Sequence, residues 1–338
     1  MSSRTAWADP GVEQVAAGVH RVPLPLPGDG LRAVNVYVLE TADGLALVDG
    51  GWAIPEARAL LEQGLAGLGA GLGDVRRFLV THVHRDHYTL AVALRDETGA
   101  RIGLGAGERP TLELLQDHER RTLEAQVAAL RRSGAGGLAR VVEEWSAGTT
   151  PDLSLWRSPD EWLTAGTVDL PGGRALEAVE TPGHTAGHLV FHDLDAGLLF
   201  AGDHVLPTIT PSIGFEPVLA ASPLADFLSS LAVVRARPDA RLLPAHGPVA
   251  DSVHARVDEL VAHHDRRLAD TEAAAQGRGA TAHDAAGRLR WTRREHRLAD
   301  LDPFNAMLAV FETGAHLRLL VAQGRLRAEL VDGVERYS

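Results

Sequence analysis

The string Thr81-His82-Val83-His84-Arg85-Asp86-His87 places three imidazoles and a carboxylate within six positions, where the β-rich run RRFLV ends. A His-x-His-x-Asp-His string arises by chance about 0.002 times at this chain's composition, so coincidence accounts for it poorly. Imidazole and carboxylate suit Zn and other first-row divalent metals, and four such groups at a strand end are not buried cheaply without a cation. Alternate residues of an extended segment point to opposite sides, so one metal cannot use all four. Two neighbouring metals are expected. Three later β runs each end in a turn that presents a ligand-type side chain: TPGH with His184, AGDH with Asp203 and PAHG with His246. The adjacent Gly183, Gly202 and Gly247 allow close backbone approach or unusual φ.

The elements that position these residues fall into two β-rich halves. VHRVPLPL, AVNVYVLE, LALVDGG, RRFLVTHVH and ARIGLG read as strands, with a crossover helix from Pro55 to Leu68. ALEAVETPGH, LVFHDL, GLLFAGDH and RLLPAHG repeat the pattern, with a helix from Pro223 to Arg237 before the last strand. This predicts an α+β fold of two sheets packed face to face with helices outside. Between the halves, about 108–164, lies a helical insertion: a first helix in PTLELLQDHERRTLEAQVAALRRSG, a second in GLARVVEEW, then a turn-rich stretch. A long amphipathic helix from Ser252 to Ala275 opens the tail. Helices near Thr281 to Arg288, Pro303 to Glu312 and Ala315 to Gln323 follow, then a hairpin turning at Asp332-Gly333, which together fit a winged-helix-like module. The expected domains are 1–250, catalytic, and 251–338.

The 338 residues contain no cysteine, which excludes disulfides, thiolate metal sites and a Cys nucleophile. All 33 basic residues are arginines, so Schiff-base and P-loop lysines are excluded too. A net charge of −12 argues against nonspecific binding to nucleic acid or an anionic membrane. No run approaches the roughly 20 apolar residues of a membrane span. The N-terminal MSSRTAWADPGVEQV lacks the apolar core of a signal peptide, so a cytoplasmic location is expected.

Taken in order on this strand pattern, HVHRDH, TPGHTAGH, AGDH and PAHG resemble the metallo-β-lactamase fold superfamily over roughly Gly18 to Gly247. The string GDHVLPTITPSIG and the tail look nearest to the glyoxalase II and β-lactamase-like protein 2 group. The resemblance implies a four-layer αββα sandwich, with the insertion and the tail as additions. It makes His82, His84 and His184 ligands of a first metal and Asp86, His87 and His246 ligands of a second, with Asp203 bridging. Asp49 matches the family's structural aspartate. A hydroxide bridging metals about 3.5 to 4 Å apart would be the nucleophile, with Asp86, His87 and Asp203 the catalytic residues. Zn2+ is the expected metal, with Fe or Mn as alternatives. The implied activity is hydrolysis of a small or medium acyl ester, thioester or lactone, a small-molecule substrate. Metal-dependent endoribonuclease and mononuclear iron persulfide dioxygenase-type activities are the alternatives within the superfamily.

The chain departs from the family pattern in reading His87-Tyr88-Thr89-Leu90-Ala91 where a residue and two glycines are usual, so Tyr88 either lines the site or packs. The second departure is the long gap from His87 to His184, which the insertion fills. Trp145, Trp156 and Trp162 either glue the insertion to the body or wall a substrate pocket, and Trp52 either lines the pocket or packs its loop. His188 and His204 are expected to hydrogen-bond to ligands rather than coordinate, and His263 and His264 to be surface or packing residues. RLRWTRREHRLADLD is the candidate RNA patch, but residues 251–338 balance 13 Arg against 14 acids, whereas phosphate binding needs net positive field.

Overall fold

The structure, a computed structural model, describes residues 6–28, 30–117, 119, 122–148, 152–277, 279–292 and 294–338. Parts of the predicted first insertion helix (118, 120 and 121), of the turn-rich stretch (149–151), of the joint after the long helix (278) and of the arginine-rich run (293) lie outside these residues. Two compact units emerge. The first comprises Met1–Gln116, Asp152–Pro211 and Ser230–Val257, and the second Asp117–Pro151, Ser212–Ser229 and Asp258–Ser338.

The first unit holds two sheets. One has seven strands in the order β1 (Glu13–Ala16), β2 (Val19–Pro25), β3 (Ala33–Thr41), β4 (Gly44–Val48), β5 (Val75–Val80), β6 (Arg101–Gly105) and β7 (Glu161–Leu163). The other has five, β8 (Gly166–Asp169), β9 (Ala175–Glu180), β10 (Leu189–Asp193), β11 (Leu198–Gly202) and β12 (Arg241–Pro244), with β12 and β8 at the edges. The period-two pattern explains the layering. In β3, Val34, Val36 and Val38 face one core while Tyr37 and Leu39 face the other. The first of these cores lies against helix α1 (Pro55–Gly67) and helix α2 (Arg85–Thr98). The second is filled from both sheets, with Tyr37 edge-on to Phe200 at 5.4 Å between ring centroids. Two sheets face to face with helices outside is the expected sandwich.

Helix α2 departs from expectation. Sequence reading treats His82 to His87 as extended, whereas the chain leaves β5 and turns into α2 at Arg85, with His84 as N-cap. Asp86 in the first turn suits the positive helix N-terminus. The two sides of the motif diverge through this strand-to-helix transition rather than through strand alternation. The expected first insertion helix is also two, α3 (Arg109–Leu115) and α4 (Glu124–Arg132), and Leu123 before α4 has a left-handed φ of 60°.

In the second unit, α4 and α5 (Gly136–Ser146) pack on each other and on α9 (Pro303–Ala322). The hairpin β13 (Ala328–Val331) and β14 (Val334–Tyr337) turns as predicted, and β14 lies against α4 and α8 (Ala282–Arg288). Helix α7 (Val253–Ala275) matches the predicted long helix closely. The tail's expected two helices after Pro303 are one. Gly314 costs only about 1 kcal/mol in a helix interior, and it sits in α9 among the buried Phe311, Ala315 and Leu317, so burial carries the helix through it.

Candidate metal centre

Strands β4, β5 and β6 are parallel, and so are β11 and β12, so their carboxyl ends share an edge within each sheet. Ligand-type residues follow those ends: Asp49 after β4, the His82–His87 motif after β5, Asp203 after β11 and His246 after β12. Strand β9, antiparallel to β10 as β11 is, delivers His184 to the same edge. All of these belong to the first unit.

The side chains converge in two triads around a shared carboxylate. His84 Nδ1 lies 3.0 Å from His82 Nε2 and 3.1 Å from His184 Nε2. His246 Nε2 lies 3.4 Å from Asp86 Oδ2, and His87 Nε2 lies 3.6 Å from the same oxygen. Asp203 Oδ1 is 3.3 Å from His246 Nε2, and its Oδ2 is 3.5 Å from His184 Nε2. Ligands about 2.0–2.1 Å from a tetrahedral metal stand about 3.3 Å apart, so these spacings suit cation coordination.

Hydrogen bonding behind the rings fixes which nitrogen faces inward. His87 Nδ1 donates to Asp49 Oδ2 at 2.9 Å, and His246 Nδ1 to the Ala33 carbonyl at 2.8 Å. Asp49 Oδ1 accepts the Thr81 backbone N–H and hydroxyl, at 2.8 and 3.0 Å. The Thr81 oxygen is thereby left to accept from His82 Nδ1 at 3.0 Å. In its neutral form each ring then turns an unprotonated Nε2 to the centre. Asp49 does this from a left-handed φ of 63°, a conformation aspartate tolerates. His188 accepts the Asp203 backbone N–H at its Nε2 (3.1 Å), donates from Nδ1 to Thr181 Oγ1 and stacks on His82.

These inward atoms are where a cation fits. His87 Nε2, Asp203 Oδ1 and His246 Nε2 are buried with no hydrogen-bond partner among the described residues. Burial opposes charge on His87, yet Asp49, Asp86 and Asp203 outweigh it and hold its pKa up at about 10. The site calls for positive charge. Burial and the neighbouring imidazoles hold His82 well below its usual range, and the histidines around Asp86 and Asp203 keep both carboxyls low against the opposing effect of burial. His82, His87, His184, Asp203 and His246 are buried, while His84 and Asp86 are only partly buried, so the centre opens on their side.

The aromatic candidates scatter. Trp52 packs its loop under the Arg85 guanidinium, 4.4 Å from the ring centroid, beside the open side. Tyr88 is fully buried and donates its hydroxyl to the Arg157 carbonyl, the packing alternative. Trp156 and Trp162 pack on the helix-facing core of the first sheet. Trp162 carries Arg109 over its ring and helps line a cavity of about 240 Å³ with Leu112, Glu113 and Ser158. Trp145 belongs to the second unit, exposed and edge-on to Phe304. His264, expected as a surface or packing residue, is fully buried and bonded to His316.

Sequence reasoning missed the supporting residues Thr181, Asn35 and Glu108. Asn35 Nδ2 donates to the carbonyls of Pro244 and Gly247, both at 2.9 Å, and so pins the turn that carries His246. An asparagine inside the alternating strand AVNVYV was the available signal, a polar residue at a buried position.

No described helix is long and apolar enough to cross a membrane. The chain matches the family model described as the metallo-beta-lactamase superfamily over residues 29–246. It is 26% identical over 311 residues to a Bacillus subtilis (strain 168) protein named "Probable metallo-hydrolase YqjP", covering 90% of this chain and 91% of that one. A hydroxyacylglutathione hydrolase of Cereibacter sphaeroides is 28% identical over 153 residues, 45% of this chain and 41% of that one. Among solved structures, a metallo-beta-lactamase family protein of Thermus thermophilus superposes with a TM-score of 0.78 at 29% identity, covering 96% of this chain and 99% of that one. The clustered His and Asp donors imply divalent metal. By its sequence match, its sandwich and its metal-ligand pattern, the chain belongs to the metallo-beta-lactamase superfamily.

Proposed function

We propose that the protein is a dinuclear-metal hydrolase, with Zn2+ as its metal, acting on a small or medium acyl ester, thioester or lactone. The observation that carries the reading is Asp203, whose two oxygens face different triads. In this reading His82, His84 and His184 hold one ion, Asp86, His87 and His246 the other, and Asp203 both. Bound there, divalent ions would supply Lewis acidity for a carbonyl oxygen and lower the pKa of water at the site to about 7.

The chain's own groups do the rest. Asp49 takes the proton on His87 Nδ1 and the Ala33 carbonyl that on His246 Nδ1, so in the neutral rings both Nε2 atoms would be open to a cation. Asp86, partly buried at the mouth, would pass a proton from attacking water to the leaving group. The buried Asp203 stays ionised, because the surrounding histidines lower its pKa. No Ser or Cys nucleophile is needed, in keeping with a chain that has no cysteine. Support for a thioester comes from the relative named hydroxyacylglutathione hydrolase, since an acylglutathione is a thioester.

The test pairs elemental mass spectrometry on protein purified without added metal or chelator with turnover of ester, thioester and lactone substrates. About two zinc per chain is expected, with metal and turnover lost together in His84→Ala and Asp203→Ala. Full activity in either variant overturns the reading, and about one iron per chain moves it to oxygen chemistry.

A further inference from the structure

Glu108 ends the turn that follows β6 and is completely buried, although nothing in the chemistry above employs it. Its Oε1 accepts the hydroxyl proton of Thr185, also buried. Thr185 directly follows His184. A buried carboxylate is costly unless its hydrogen bonds compensate, so this one is held for a structural return.

The backbones around the bond interlock. A Cβ on Gly105 would stand 2.0 Å from the Gly187 carbonyl oxygen, and one on Gly187 would stand 2.1 Å from the Glu108 nitrogen. These two glycines let the turn after β6 lie directly on the 181–188 loop. Within that loop, Thr181 N–H donates to the His188 carbonyl at 2.8 Å, and Gly183 N–H to the Thr185 carbonyl at 2.9 Å. His184, from the second sheet, has to meet His82 and His84, which come from the first. The Glu108–Thr185 bond ties the first sheet's β6 turn to the residue beside His184.

We propose that Glu108 is a positioning residue for His184, acting through the Thr185 hydroxyl to set metal affinity at the His82, His84 and His184 triad. The inference rests on the dinuclear reading, because it takes His184 as a ligand of one ion of two. It confines the effect to that ion, since the rings of the other triad are held by different partners, His87 by Asp49 and His246 by the Ala33 carbonyl.

The experiment titrates Co2+ into metal-free wild type, Thr185→Val, Thr185→Ser and Glu108→Ala, reading the visible absorption bands and the metal retained per chain. Circular dichroism checks the fold, and Thr185→Val keeps the native side-chain volume should Glu108→Ala unfold. Thr185→Val and Glu108→Ala are expected to weaken one of two metal equivalents by about 10- to 100-fold. Thr185→Ser, which restores the hydroxyl, is expected to stay within about threefold of wild type by the same scale. A folded Thr185→Val with both affinities unchanged overturns the inference alone, as does equal weakening of both equivalents or failure of the serine to rescue. Wild type that takes up fewer than two equivalents overturns the dinuclear reading and, with it, this inference.

Discussion

Asp203 and His188 are joined backbone to ring: the Asp203 N–H donates to His188 Nε2 at 3.1 Å, while the Asp203 carboxylate points the other way, into the metal centre. The ring is therefore the back wall that sets where the shared carboxylate stands. His188→Ala leaves a buried backbone N–H without its acceptor and a void beside His82. A loss of about 2–4 kcal/mol in urea unfolding is expected, along with metal affinity reduced by about 10- to 100-fold. Wild-type metal retention in a folded His188→Ala protein would remove the back-wall role.

Chelation is expected to destabilise the protein at neutral pH. Without cations, His87 Nε2 and His246 Nε2 stand 3.3–3.7 Å from the oxygens of Asp86 and Asp203, and only protons are left to offset the two buried carboxylates. A ligand at a hundredfold excess over its Kd adds about 2.7 kcal/mol per site, so EDTA should lower Tm by several degrees and zinc should restore it. A Tm indifferent to both would mean that protons, not metal, hold the site.

The residues that converge were legible in the sequence further than their scaffold was. All seven ligand-type residues converge, because each sits where a β run ends and parallel strands bring those ends to one edge. What sequence could not reveal is set by tertiary contact. The start of α2 inside the motif carries no Ser, Thr, Asp or Asn cap before it, since the N-cap is His84. Gly314 looks like a breaker until the burial of α9 outweighs it. Glu108 reads as one more surface acid in GAGERP, and only Thr185, 77 positions away, shows otherwise. The tryptophans read alike in the sequence, yet Trp156 and Trp162 pack against a core, Trp162 also lining the cavity beside Arg109, while Trp145 is exposed in the second unit.

Gly202 offers a prediction with an internal control. It has φ of 50°, and a Cβ there would stand 2.7 Å from His188 Nε2 and 2.8 Å from Thr81 Oγ1. Gly197 has a similar φ of 63° and nothing within 4 Å of its would-be Cβ. Gly197→Ala should cost only the left-handed backbone, about 1–2 kcal/mol. Gly202→Ala adds a clash with two groups that orient Asp203 and His82, so its loss should be larger and accompanied by falling metal content. Equal costs in denaturant melts would show that the site adapts around the methyl.

The last prediction concerns pH and lies in the second unit. His264 Nδ1 and His316 Nε2 are 3.2 Å apart, and His316 Nδ1 donates to the Glu312 carbonyl at 2.8 Å. His316 therefore accepts at Nε2 and His264 donates, so the pair is bonded in its neutral form. Burial is the chief cause holding both below their usual pKa, and each ring also feels Arg267. Unfolded, each titrates near 6.5. Below that pH the unfolded chain binds more protons than the folded one, and stability falls as pH falls, by up to about 1.4 kcal/mol per unit for each ring. His263 on α7 is shifted in the same sense, while burial raises Glu312 on α9, which works in the opposite direction. Comparing wild type with the double variant His264→Leu/His316→Leu cancels the parts of His263 and Glu312 that both proteins share. Urea melts from pH 7 to 5 should therefore show the wild type losing more stability than the variant, and parallel losses would place the protonation elsewhere.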